Sequence, residues 1–345
     1  MFNILFSGQE SLLVLLSAFI IGGIFKTRGV FLPVFTMLTV RVKSRRISLL
    51  LISLISGVLP VEGRVSVSAP ILDSVIAHNN HCGHDHSRGK IGVLDFIATH
   101  HYYLWSPLEK SIIMIMAGLS MSYAQVLSYT AIPLAMYLIF LIGVVFFYVD
   151  EDDTELEPNT STQSWVALAK VVPFLAGLVL SIFYPPYIVF PIITVFYILT
   201  NAVSFKELWT YIRWDSLAVV AFVIVAANLV KSNSAMILHA FTATAFAGPP
   251  TLSAVILAVI GGGIASFIMG SSSKYAGICV ALTLVFGIQY FPLILMVEYA
   301  GYLLSPTHKC LAISASYFNT KLTEFYKYVG CLAILMVVIG IAQVV

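Results

Sequence analysis

Two short runs carry the residue types most suited to holding an ion inside an apolar chain. Tyr103–Lys110 reads YLWSPLEK and Tyr302–Lys309 reads YLLSPTHK, with five of eight positions identical. Proline removes a backbone donor and breaks a helix, and a serine hydroxyl can bond the freed backbone, so each run reads as an interrupted helix. Such interruptions offer helix N-termini to anions and unwound carbonyls to cations. Ser106, Pro107, Ser305, Pro306 and Thr307 are therefore candidate substrate contacts. Ser66, Ser68, Ser271, Ser272 and Ser273 join them from two Gly- and Ser-rich segments. Arg64 and Lys274 lie in those same segments, where each can face an anion or snorkel to the membrane interface. Lys110 and Lys309 follow the paired serines by four residues, one helical turn, and are preceded by Glu109 and His308. Glu298 is an acid within LILMVEYAGYLL. Charge is costly at membrane depth, which makes Glu298, His308, Lys309 and Lys110 candidates for ion coupling. The competing reading of Glu298 is a structural pair with Lys309 across the break. The competing reading of the serines is close helix packing.

These residues need a membrane scaffold to position them. Of the 345 residues, 59% are hydrophobic and 10% charged, far below the quarter or so typical of a soluble domain. Mean hydropathy is +0.97. Several runs approach the roughly 20 apolar residues needed to cross a bilayer, so an all-α polytopic membrane protein is expected. The runs at 11–25, 106–127, 130–149, 165–183, 185–200, 214–231, 305–320 and 328–345 read as crossings. Regions 46–78 and 250–290 instead pair short apolar runs around Gly-, Ser- and Pro-rich middles, and read as re-entrant hairpins. Non-helical backbone at that depth must be buried in protein or face a watery cavity. The plainer alternative for each is two crossings joined by an external loop.

The hairpin tips also match weakly, Gly63–Ala69 against Gly270–Ala276, in the same order as the Ser-Pro pair and at a similar offset. The chain thus divides into a first repeat over 1–149, linking helices with an acidic loop over 150–213, and a second repeat over 214–345. Arg41, Lys43, Arg45 and Arg46 precede the first hairpin and Arg88 and Lys90 follow it, whereas the matching stretches of the second half carry no charge. Positive loops mark the cytoplasmic side, so the repeats are expected to be inverted, with both termini non-cytoplasmic.

A His-rich segment, HNNHCGHDH, supplies His78, His81, Cys82, His84 and His86, ligands suited to Zn²⁺ or another transition metal. Its spacing fits no standard zinc motif, and it reads equally as a polar loop. Ile91–Trp105 reads as an interfacial helix whose His100, His101, Tyr102, Tyr103 and Trp105 suit an aromatic belt. Cys279, Cys310 and Cys331 lie in apolar runs as small hydrophobes. The first apolar run lacks the basic start and small-residue cleavage site of a signal peptide. No phosphate-binding glycine motif occurs, and the basic residues are too dispersed for a nucleic-acid surface. Ser305, His308 and Glu298 are the one grouping that could serve an intramembrane enzyme; a pure membrane scaffold leaves the buried Ser, Lys and Glu unexplained.

The stretches GVLPVEGRVSVSAPILDS, YYLWSPLEKSIIM and EYAGYLLSPTHKCLAISASYF together resemble an uncharacterised family of prokaryotic integral membrane proteins. That family is placed in the ion-transporter superfamily, beside gluconate, citrate, dicarboxylate and arsenite permeases. The resemblance implies a scaffold and a transport domain, two re-entrant hairpins and two broken helices near the midplane, and elevator-like movement within a homodimer. The expectation is a non-enzymatic secondary transporter of a small anion in a prokaryotic inner membrane. Na⁺ or H⁺ is the coupling ion, with no organic cofactor. A transition-metal transporter using the His-rich segment is the alternative.

Overall fold

The computed structural model describes residues 8–42, 44–61, 64–77, 85–148, 164–244 and 258–344, and among these the only regular structure is helical. Four helices are long and apolar enough to cross a bilayer: α1 (Gln9–Arg28), α7 (Tyr123–Tyr148), the first part of α11 (Trp214–Thr244) and α16 (Leu322–Ala342). Large apolar side chains point outward where a soluble protein would place polar ones: Phe147 is 94% exposed, Leu199 74% and Phe222 72%. An apolar exterior of this kind suits lipid. The chain is a helical membrane protein.

The helices group by what they pack against. In the first half, α3 (Arg45–Val58) and α4 (Val65–Ala77) pack on each other and on α5 (Asp85–His100). A 3₁₀ turn over His101–Leu104 and the Ser106–Glu109 stretch then lead into α6 (Lys110–Leu119). In the second half, a π turn over Ala258–Gly263, α12 (Ile264–Met269) and α13 (Ser272–Phe286) pack on α14 (Phe291–Leu304). The stretch Ser305–His308 leads into α15 (Lys309–Tyr317). The halves interlock: α6 packs on α13, α15 on α4, and α7 on α16. Helices α3, α4, α6 and α13 have 14, 13, 10 and 15 residues, all short of a full crossing.

A second group lies beside this core. Helices α1, α2 (Leu32–Arg41), α8 (Ser164–Phe183), α9 (Pro186–Thr200) and the short α10 (Phe205–Tyr211) pack among themselves. Phe25 sits at their centre, with Phe31, Phe174 and Tyr197 each 5.0 Å away edge-on. Such pairs contribute beyond their buried area. A capping box starts α10, with Ser204 and Glu207 satisfying each other's backbone N–H.

Four sequence expectations need correction. The expected crossing 106–127 is divided, because Ser120 adopts a left-handed conformation (φ 55°) that ends α6, while Pro133 stays inside α7. The expected crossing 305–320 is only the second part of an interrupted helix whose first part is α14. Helices α2 and α10 had no counterpart in the reading of the sequence. The aromatic belt at Ile91–Trp105 is interior instead: His100, His101, Tyr102 and Tyr103 are all buried. His100 Nδ1 and His101 Nδ1 face the carbonyls of Phe96 and Ala98, so these rings are held from inside the protein and not at the interface.

Candidate functional site

The two Ser-Pro stretches share one backbone design. Ser106 Oγ accepts from Leu108 N at 3.3 Å, and Ser305 Oγ accepts from Thr307 N at 3.3 Å. Glu109 N donates to Ser106 O at 3.1 Å, as His308 N does to Ser305 O at 3.2 Å. Ile113 N donates to Glu109 O and Ala312 N to His308 O, restarting a helix in each case. Glu109 and His308 both occupy extended N-cap positions without a side-chain cap, so the first N–H groups of α6 and α15 take no bond from the N-cap side chain.

Equivalent residues of the two stretches meet in the core. The rings of Tyr103 and Tyr302 lie 5.2 Å apart, edge to face. Tyr299 Oη donates to the carbonyl of His100 at 2.7 Å, and those two residues are also equivalent under the same 199-residue offset. Around them stand His308, stacked on Tyr302 at 4.1 Å, and Tyr275, 5.2 Å from Tyr302.

Each tip rests on its own break. At the first, Arg64 donates to Glu109 Oε2 at 2.8 Å and to the carbonyl of Leu59 at 2.9 Å. Its guanidinium lies 3.8 Å over the Tyr102 ring. Arg64 is buried and paired, so it neither snorkels nor presents an open charge to an anion. The carbonyl of Pro60, beside this tip, presses on Gly22 of α1, where a Cβ would come within 2.2 Å. At the second tip, Gly270 has φ +54° and stands against Ser305 Oγ and Thr307 Oγ1. Thr307 Oγ1 donates to the carbonyl of Ile268 at 3.1 Å. Ser271 and Ser273 share a hydrogen bond of 3.2 Å between hydroxyls.

The candidate residues therefore divide. Ser106, Pro107 and Ser305 are buried, Pro306 and Thr307 are exposed, and Ser271, Ser272 and Ser273 are half-buried. Ser66 is exposed. Lys274 and Lys309 are exposed, and the expected pair between Lys309 and Glu298 is not made. Lys110 Nζ reaches Ser216 Oγ at 3.4 Å. Ser305 Oγ bonds Thr307 Oγ1 while His308 faces His100 and the Tyr302 carbonyl, so Ser305, His308 and Glu298 form no nucleophile–base relay. His78, His81, Cys82 and His84 lie outside the described residues, and His86 falls in the first turn of α5. A cavity of about 530 Å³ lies elsewhere, between the start of α1, the α6–α7 turn and the α8–α9 turn.

Two buried carboxylates complete the arrangement, one in each half. Ser68 Oγ donates to Asp95 Oδ2 at 2.7 Å, and Ser266 Oγ donates to Glu298 Oε2 at 2.7 Å. Each acid stands on the helix leading into a break, and each accepts from a neighbouring short helix, α4 or α12. The second oxygens, Asp95 Oδ1 and Glu298 Oε1, are buried with no hydrogen-bond partner among the described residues. The hydroxyls of Ser53 and Ser56 on α3, and of Thr283 on α13, are orphaned in the same way. Glycine makes room for the second acid: a Cβ on Gly262 would lie 2.3 Å from Glu298 Oε1, and one on Gly301 would lie 2.2 Å from the carbonyl of Gly263. The π turn that carries Gly262 and Gly263 is a feature frequent at functional sites. Asp95 and Ser266 were not among the residues singled out from the sequence, and Arg64 and Glu109 were named but not as a pair; for Asp95, an acid in the run VLDFIA, charge within an apolar run was the available signal. No curated protein matches this sequence. A family model matches residues 6–345, and the chain belongs to the family described as Protein of unknown function (DUF401).

Proposed function

We propose that this protein is a secondary transporter of a small anion, driven by Na⁺ or H⁺, built as an inverted repeat in a prokaryotic inner membrane. The observation that carries the reading is the pair of interrupted helices with the same hydrogen bonds, in contact through Tyr103 and Tyr302. Paired interruptions of this kind mark transporter binding sites. A membrane scaffold has no need for two unwound stretches with uncapped helix starts.

In this reading α3–α4 and α12–α13 are re-entrant hairpins, and the core moves against α1, α2 and α8–α10 as an elevator, within a homodimer. The substrate sits at the second tip, against Ser271, Ser272, Ser273, Ser305 and Thr307, where hydroxyls and the start of α15 converge. Helix ends contribute about 0.3–1 kcal/mol each, up to ~2 when partly buried, so several can hold an anion without a full protein charge. Ser66, Ser68 and Ser106 belong to the first tip and break, which have a supporting role because Arg64 and Glu109 already fill that place. The orphaned oxygens of Asp95 and Glu298 take the coupling cation or proton, and Lys110, Lys309 and His308 do not carry it.

Purified protein in liposomes tests this directly. Uptake of gluconate-, dicarboxylate- or phosphate-like anions should rise with an imposed Na⁺ or proton gradient. Glu298→Gln should abolish the response to the gradient while leaving counterflow exchange. Gradient-independent uptake that is unchanged in both Glu298→Gln and Asp95→Asn refutes the coupling assignment, and no uptake of any anion class refutes the function.

A further inference from the structure

We propose that His100, His308 and Cys310 form a transition-metal site that joins the two halves at the meeting of the two breaks. The three ligand atoms lie within 4.8 Å of one another, with both histidines buried and the cysteine half-buried. The site is separate from the His-rich 78–86 segment and does not depend on the transport reading.

Hydrogen bonding selects a metal here. His100 Nδ1 faces the carbonyl of Phe96 at 2.5 Å, and His308 Nδ1 faces the carbonyl of Tyr302 at 3.2 Å. A carbonyl only accepts, so each Nδ1 must carry the proton. Both neutral rings then present a bare lone pair at Nε2, and the two Nε2 atoms face each other at 3.1 Å. Two acceptors in contact repel, and a shared cation removes the conflict. An Nδ1–H tied to a backbone carbonyl is also the usual outer support of a metal-bound histidine, fixing tautomer and ring plane.

The spacing agrees. With Zn–N bonds of ~2.0–2.1 Å, two nitrogens on a tetrahedral ion lie about 3.3 Å apart, close to the separation seen. A thiolate and two imidazoles suit Zn²⁺ and similar borderline-soft ions better than Na⁺, Mg²⁺ or Ca²⁺. Binding forms two metal–nitrogen bonds and one metal–sulfur bond, and the Cys310 thiol releases its proton to solvent. A fourth position is left for water or another ligand. His100 ends α5 while His308 and Cys310 open α15, so the ion would clamp one half of the chain to the other.

The experiment uses full-length protein in detergent, in a background carrying Cys82→Ala and alanine at His78, His81, His84 and His86, which removes competition from that segment. Co²⁺ should bind once per chain and give a thiolate-to-metal charge-transfer band, displaced by Zn²⁺. Cys310→Ser should abolish that band. Cys310→Ser and His308→Gln should each weaken Zn²⁺ binding by at least about tenfold, the lower bound for losing even an outer partner of a metal site. A background protein that binds neither ion, or variants that retain full affinity, overturns the proposal. If a variant fails to fold, alkylation of Cys310 in the background protein decides: Zn²⁺ should slow it, and an unchanged rate overturns the site.

Discussion

The first and second breaks have the same backbone and opposite surroundings. Where the first carries Glu109, the second carries His308; where the first tip carries Arg64, the aligned place in the second is Ser271. The first is closed by a buried ion pair, by Tyr102 under the guanidinium and by Pro60 against α1. The second is lined by hydroxyls, with Pro306, Thr307 and Lys309 exposed. One backbone design thus serves as a fixed joint on one side and a more exposed, hydroxyl-lined break on the other. A buried pair resists opening because separating it leaves an unpaired charge. Hydroxyls exchange partners with little loss, which suits a place that a ligand enters and leaves.

The sharpest way to break this comparison is to remove the charge. Arg64→Ala should destabilise the protein by about 3–5 kcal/mol, since Glu109 is left buried and unpaired. Ser271→Ala should cost well under that, ~1 kcal/mol or less. Denaturant unfolding in detergent measures both, and equal costs would remove the distinction. The double variant Arg64→Met with Glu109→Leu should recover most of the loss.

Next in size are the glycines of the second half. Gly301→Ala sets a methyl group against a backbone carbonyl and should cost about 1–3 kcal/mol. Gly270→Val adds strain at φ +54° and should reduce uptake more than loss of any single tip hydroxyl. Normal uptake by Gly270→Val would move the substrate away from the second tip.

The serine–carboxylate pairs should respond alike, because their geometry is alike. Ser68→Ala and Ser266→Ala should each cost about 1–2 kcal/mol by thermal unfolding. A large difference between them would mean the two acids are held in different states. Ser106→Ala and Ser305→Ala should be smaller still, about 0.5–1.5 kcal/mol, and equal.

The smallest effect is a control at the surface. Arg28 pairs with Glu207 at 2.9 Å, exposed on both sides. The backbone N–H and hydroxyl of Ser204, and then Arg28, hold the Glu207 carboxyl below its ordinary value. A depressed acid adds stability that is present above its unfolded value and lost as pH falls through the folded one. Glu207→Gln should therefore remove a slight stabilisation at neutral pH and flatten the loss of stability below about pH 4.5. Arg64→Ala should remain destabilising at neutral pH.

What could be read from the sequence follows from local chemistry. The breaks were legible because Pro107 and Pro306 each remove a donor next to a serine able to replace it. The helix ends before Arg64 and Ser271 were legible because glycine and serine interrupt otherwise apolar runs. The end of α6 was not, because Ser120 turns left-handed without a glycine to announce it, and Pro133 sits in a helix it would ordinarily interrupt. Partners distant in sequence were equally hidden. Asp95 meets Ser68 only after α4 folds onto α5, and Arg64 meets Glu109 only once the first tip reaches the break. The buried histidines misled for a related reason: their Nδ1 atoms face carbonyls that no one-dimensional pattern displays.

If the core moves as proposed, the contact of Gly263 with Gly301 sets how α12 can take part. Two backbones touching there act as a fulcrum, since neither can slide past the other without a clash. The arm from Gly263 to Gly270 is about 10 Å long at 1.5 Å per residue. Tilting that arm by about 20° swings its end by roughly 3–4 Å, enough to part Thr307 from the carbonyl of Ile268, while the pivot stays in place. In the proposed transporter α12 is then a lever that opens at its glycine latch and turns beside Glu298, so the acid would stand where motion is least and the Ser305–Thr307 end where it is greatest.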